Sequence, residues 1–392
     1  MTSQDLAELY LLSRSLWWRH ELGLLSDEAV SELVKVLRSA RSGIVAQIEA
    51  EAQGLASISE WTRERNDQIS AWIDEVLAGT SASVTSYISE ASVGVALASV
   101  ATYNSILSFD GKAKAVKLVE GLTREQIKQF FQDQPLGGKL LSDWVGNAFS
   151  TGARDSILDA IREGVVMGEG YRKLVKRVMV AADVGFSITQ REATTLVRTY
   201  VQSANTGAQE AVYEQNEGII KGYKRVETLD THTCRICALA DGTVYGKNEK
   251  RPELPAHPNC RGIWVPVLKS FLEVGLNIDE LEEVARPWTI RGNWHTGKRG
   301  GIIHDSAMSG KDFSHSAADF YKIQNFGTTK ENFGGWWESL SAEDKLKTSV
   351  GPVRGKLLQE GLVRWEDLSD KRTGLPYTLE QLGFDEQGNP LR

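Results

Sequence analysis

Cysteine, methionine and proline are scarce here, at 3, 4 and 9 of 392 residues. Three cysteines cannot close a disulfide framework, so the count points to a reducing compartment. Met1 to Tyr10 has no basic stretch and carries Asp5 and Glu8, so no secretory leader is expected. No repeat occurs at solenoid or collagen periods. Apolar residues at 41% and charged residues at 25% are ordinary for a globular protein, which excludes wholesale disorder and a polytopic membrane protein. Long uncharged runs are few. Ala91 to Phe109 has 19 residues without a formal charge, close to membrane-spanning length. Ser92, Ser99, Thr102, Asn104, Ser105 and Ser108 make it a poor hydrocarbon solute, which predicts a buried helix of small residues and not a membrane span.

What is present is unevenly charged. Residues 1–110 hold 7 Lys/Arg against 15 Asp/Glu, a net of −8, while the remainder is nearly neutral and the whole chain is −7. An acidic arm is repelled by nucleic acid and suited to a basic protein surface, although a solvated helical face has the same charge pattern.

Apolar periodicity predicts an α+β, mainly helical fold. The expected organisation is an acidic helical region over 1–110, a helical core domain over 111–218, a β-rich module containing the cysteines over 219–268, an irregular Gly/Trp/basic segment over 269–325, and a small helical C-terminal region over 326–392. Helix starts are expected at Ser26, at the Ser57–Glu60 and Thr123–Gln126 capping boxes, and at Ile188-Thr189 with Glu192. A break is expected near Asp110-Gly111. Strands are expected at Ile219 to Val226, Thr243 to Tyr245 and Ile263 to Val267, with Asp241-Gly242 as a hairpin turn.

All three cysteines fall within 27 residues: Cys234-Arg-Ile-Cys237, then 19 residues, then His257-Pro-Asn-Cys260. Two soft-ligand pairs, each with two residues between, can chelate one tetrahedral ion, and thiolates with imidazole favour zinc. Four protein ligands leave no open position, so zinc at Cys234, Cys237, His257 and Cys260 would be structural. The competing reading is three reduced thiols lining a small core. Catalytic patterns are missing. There is no His-Glu-x-x-His, no Walker A loop, no Gly-x-Ser-x-Gly and no deaminase His-x-Glu, so no enzyme, no catalytic residue and no small-molecule substrate are expected. Over 286–311, Arg286, Arg291, Lys298 and Arg299 interleave with Trp288 and Trp294, a pattern that could touch single-stranded nucleic acid. The segment is short and the chain acidic, which weighs against it. Trp17-Trp18 and Trp336-Trp337 are expected to be core or interface anchors.

Asp230-Thr-His-Thr-Cys234-Arg-Ile-Cys237, then Asp241-Gly242, then Leu254-Pro-Ala-His257-Pro-Asn-Cys260-Arg261 resembles the signature of phage head-morphogenesis proteins, the minor head proteins of the Mu F type. The helix bearing Arg198-Thr199 and Asn205 agrees with it. Near the C-terminus, Trp336-Trp337, Gly351-Pro-Val-Arg354, Gly361-Leu-Val, Asp367-Leu368 and Thr378-Leu-Glu-Gln-Leu382 are similar to the tail of many such proteins. Gly262 is a departure, since many members carry another residue there, often cysteine. The resemblance implies a low-copy virion protein inside the head, made in the host cytoplasm. It would act in assembly beside the portal protein or the major capsid protein, and some relatives are linked to DNA packaging or ejection.

Overall fold

The computed structural model describes residues 3–53, 63–133 except 114, 135, 139–169, 171–269, 286–288, 327–329, 332–370, 373 and 375–391. The helices are α1 (Ser3–Gln53), α2 (Arg63–Leu107), α3 (Arg124–Asp133), α4 (Leu141–Phe149), α5 (Asp155–Val166) and α6 (Tyr171–Gln215), with a π turn over Ser150–Arg154. Strand β1 (Ile220–Val226), helix α7 (Arg235–Ala240) and strands β2 (Val244–Gly246) and β3 (Ile263–Leu268) follow. A two-stranded ladder joins β4 (Arg286–Trp288) to β5 (Gly327–Thr329), so part of the segment expected to be irregular is strand. The tail has α8 (Phe333–Ser339), α9 (Ala342–Leu346), α10 (Pro352–Gln359) and a 3-10 turn at Trp365–Asp367. The fold is mainly helical α+β, as the periodicity predicted.

Two compact units are drawn from interleaved segments. One comprises Met1–Leu25, Val95–Leu122 and Gln202–Arg392; the other Ser26–Gly94 and Thr123–Val201. The long helices α1, α2 and α6 each supply a segment to both units.

Three local expectations are corrected. Ser26 does not start a helix but lies buried within α1. Thr189 likewise lies within α6, donating to the Gly185 carbonyl at 3.1 Å and to the Ala148 carbonyl at 3.0 Å and accepting from the Ala153 amide at 3.1 Å. A Ser or Thr hydroxyl that returns to the carbonyl four residues back needs no helix end. Asp241-Gly242 is not a hairpin turn: with the Thr243 amide donating to the Ala240 carbonyl at 3.2 Å and Gly242 at φ 81°, it joins α7 to β2.

Other signals coincide with structure. Thr123 and Gln126 form a reciprocal capping box at 3.0 and 3.2 Å. Beyond α2, Phe109, Asp110 and Gly111 all have positive φ, a chain reversal where the break was expected. Asp110 is held there by Ser105 at 2.6 Å, Tyr10 at 2.7 Å and Arg14 at 3.1 Å. Ser57, Glu60 and Trp61 lie outside the described residues.

The polar residues of the uncharged run explain its burial. Ser92 bonds the Ile88 carbonyl, and Ser99 bonds Asn205 at 3.1 Å. Asn104 grips both peptide groups of Val119 at 2.9 and 3.0 Å, and Asn216 does the same to Lys117 at 2.8 and 2.7 Å. Glu64–Leu107 is long and apolar enough to cross a membrane, yet 56% of its most apolar window is buried within the protein.

Within the second unit, α6 crosses the π turn at close range. A Cβ on Gly185 would come within 2.7 Å of the Gly152 carbonyl oxygen, and one on Gly152 would strike the Thr189 hydroxyl. Only glycine permits that approach.

Candidate metal centre

The centre is built on a three-stranded antiparallel sheet in the order β2-β1-β3, with Tyr223 opposite Tyr245 on one side and Pro266 on the other. β3 is an edge strand, and α6 covers its free backbone. Gln209 grips Trp264 through both its amide and its carbonyl, at 3.2 and 2.8 Å, with the Tyr213 hydroxyl adding a bond at 3.1 Å. Gln202 donates to the Gly262 carbonyl at 2.8 Å, and Arg19 of α1 to the Arg261 carbonyl at 2.7 Å. Buried amides that mimic a neighbouring strand satisfy an edge that would otherwise lose its hydrogen bonds.

Both Cys/His pairs are positioned by one backbone turn each. Cys234 caps α7, with the Ala238 amide bonding its carbonyl at 2.8 Å, so Cys237 follows one helical turn later. At the second pair the Cys260 amide bonds the His257 carbonyl at 3.1 Å, closing a turn in which Asn259 has φ 59°. Asparagine tolerates that left-handed position better than most residues. In both cases residues three apart present their side chains together.

The donor atoms converge. His257 Nε2 lies 3.1 Å from each of Cys234 Sγ and Cys237 Sγ, and all three donors lie within 4.8 Å of one another. Cys260 Sγ is 3.9 Å from Cys237 Sγ, close to the ~3.8 Å edge of a tetrahedron with ~2.3 Å zinc–sulfur bonds. His257 Nδ1 faces the Pro258 carbonyl at 2.8 Å, which leaves Nε2 free to act as a ligand. Protons are shared unequally. The Cys234 thiol is drawn down to about 4, first by hydrogen bonding with Cys237 and, against burial, by His257. His257 is pushed up to about 9, chiefly by Cys234. Cys237 is driven up by its bonds to Cys234 and Cys260 and by burial, while Cys260 is held well below its ordinary value. Buried thiols and an imidazole in such contact form a set that could bind a metal ion.

Around the donors lies a polar shell that the spacing alone did not reveal. Arg225 reaches Cys237 and Cys260 at 3.8 and 3.9 Å and pairs with Glu227 at 2.5 Å, both side chains almost fully buried. Arg225 and Glu227 sit at alternate positions of the strand end, so their side chains share one face, but Lys221 and Lys224 lie beside them in the chain and nothing in the spacing singles out the buried pair. Gly262 has no room for a side chain: a Cβ would lie 2.7 Å from Arg225 and nearer still to Glu227. Asp230, fully buried, takes a two-pronged bond from Arg261 at 2.6 and 2.7 Å and another from the His232 amide at 3.0 Å. Asp241 accepts from the Glu227 amide at 2.7 Å and from the Phe333 amide of the tail at 2.6 Å.

Residues 155–264 match the family described as Phage Mu protein F like protein. The matched block is Mu F-like. It runs from α5 to the start of β3 and holds all four Cys/His positions, so the motif that suggested a phage head protein family lies inside the match. No curated protein and no solved structure matches the chain. Within the Mu F-like block, Asn205 is buried and accepts from Trp18 at 2.9 Å as well as from Ser99, whereas Arg198 pairs with Asp27 at 3.1 Å. Trp336 and Trp337 are core residues of the tail. Of the candidate nucleic-acid residues, Arg286 belongs to β4, and Arg291, Lys298 and Arg299 lie outside the described residues. Of the other histidines, His20 is buried and His232 exposed.

Proposed function

We propose that this chain is a minor structural protein of a bacteriophage head, acting in morphogenesis through contacts with the portal protein or the inner capsid. The observation that carries this reading is the Mu F-like match over the block that builds the Cys/His centre. The chain works by docking and performs no turnover. Its place is inside the virion head, after synthesis in the host cytoplasm. Quantitative mass spectrometry of purified particles, with the portal subunit as reference, should find it at a few copies per particle. Its absence from particles would overturn the assignment.

Zinc is the proposed ion, held by Cys234, Cys237, His257 and Cys260. Three sulfurs and one imidazole suit zinc over magnesium or calcium, and four protein donors close the site. Bound there, it supplies rigidity and not chemistry. Metal analysis of the purified chain should give one zinc per chain, lost in Cys260→Ser.

The acidic N-terminal third is the proposed docking arm for a basic portal or capsid surface. Reversing the charge of Glu49, Glu51, Glu60 and Glu64 should weaken that association, and binding unchanged by the reversal would refute it. A DNA-contacting role in packaging or ejection is the second reading, carried by the cation–aromatic pattern over 286–311. It requires salt-dependent DNA retention that disappears when Arg291, Lys298 and Arg299 are replaced.

A further inference from the structure

We infer that the Cys/His centre is a clasp for the C-terminal tail: the ion that fixes α7 also holds residues 333–391 docked. This rests on the structural-zinc reading above. Helix α7 has only six residues, too few to persist in water by itself. One part of it faces the donors, through Cys237 and the capping Cys234. The next two residues face the tail. Ala238 joins Leu229, Phe333, Trp336, Trp337, Leu340 and Val350 in one buried cluster. Leu239 joins Leu357, Val363, Leu368 and Phe384 in a second.

Polar ties reinforce the same junction. Arg235 donates to the Ser349 carbonyl at 3.1 Å, and the Ser349 hydroxyl returns a bond to the Thr233 carbonyl at 2.6 Å. The Asp241 carboxylate spans the Glu227 amide of the module and the Phe333 amide at the start of α8. The tail therefore completes both of its clusters with residues of the metal module, and segments of its size are marginal when folded alone. Loosening α7 removes Ala238, Leu239 and the Arg235 tie together. Contacts that share one small element are lost as a unit.

Hydrogen exchange on the full chain tests this, comparing the zinc-loaded protein, the protein stripped with a chelator, and the stripped protein given zinc again. Amides of 333–359 should exchange ~tenfold faster or more after stripping and recover with zinc, while those of α2 change little. Leu239→Ala should speed tail exchange without lowering the zinc content, because it cuts the clasp on the tail side. Since it leaves the ligands intact, it serves even if Cys237→Ser does not fold. A zinc-loaded chain whose tail exchange is indifferent to stripping overturns the clasp and leaves the zinc reading standing. A chain that neither contains nor takes up zinc overturns both.

Discussion

Replacing Gly262 with alanine puts a methyl group where the buried Arg225–Glu227 pair already sits. The added carbon would lie 2.7 Å from Arg225 Nη2 and 2.9 Å from its Cζ, and would overlap a Glu227 carboxylate oxygen. Neither partner can swing aside. Arg225 Nε donates to Glu227 at 2.6 Å, the Glu227 amide is bonded to Asp241, and the Gly262 carbonyl is fixed by Gln202. Relief therefore needs a displaced strand or a stretched ion pair. Overpacking a tight interior costs about 1–3 kcal/mol, and weakening a buried charge-assisted bond adds a cost of about 1.5–3 kcal/mol when it is lost outright. A destabilisation of about 3 kcal/mol is expected, which for a unit of this size corresponds to a fall of about 6–12 °C in the melting temperature. Differential scanning calorimetry should show it, with exchange protection lost first in β1 and β3. Gly207→Ala is the control. That helical glycine has nothing within 4 Å of a built Cβ, so alanine there should stabilise by about 0.5–1 kcal/mol. If Gly262→Ala melts with the wild type, the claim that the ion pair fills this space is wrong.

Three further outcomes follow from the packing. Gly185→Ala should destabilise the second unit by about 1–3 kcal/mol, because the new methyl meets the backbone of Gly152 and Ala153; unchanged thermal unfolding would contradict the close crossing. Asn205→Ala should cost about 2–4 kcal/mol by leaving the Trp18 indole N–H and the Ser99 hydroxyl without their shared acceptor, measurable as a lower denaturation midpoint. At Asp110, burial would raise the carboxyl, but bonds from Ser105 and Tyr10, with Arg14, outweigh it and hold it below its ordinary value of 3.8. A folded-state value below the unfolded one means stability present above about pH 4 and lost as pH falls through the depressed value. With 40% of the side chain exposed, the effect is under about 1 kcal/mol. A wild-type minus Asp110→Asn stability difference that grew toward acid pH would have the wrong sign.

Local chemistry made much of the site legible before any coordinates. Residues three apart come together in a helical turn and in a tight turn alike, so the pairing of Cys234 with Cys237 and of His257 with Cys260 follows from covalent spacing, whereas the meeting of His257 with the two cysteines 20 and 23 residues before it is tertiary. Thr123 and Gln126 satisfy each other within four residues and needed no tertiary help. The strands at 220–226, 244–246 and 263–268 were readable for the same reason: their β-branched and aromatic alternation is local.

Where partners lie far apart in the chain, sequence was silent or misleading. Ser26 and Thr189 look like helix caps in isolation, but a cap is needed only if the helix ends, and burial along α1 and α6 carries both helices through. The amide grip of Gln209 on Trp264 spans 55 residues, and that of Asn205 on Trp18 spans 187. No spacing rule reaches so far. The interleaved units are likewise invisible to a linear division, because each long helix has one stretch in each unit. By itself, then, the sequence determined the helical and strand character, the acidic first third, the confinement of all three cysteines and His257 to one short segment, and the family signature. The tertiary structure alone decided which buried polar groups pair, why Gly262 admits no side chain, and that the helix carrying Cys237 is also the helix on which the tail is packed. Local propensity acts over a few residues, whereas burial and desolvation are properties of the assembled core.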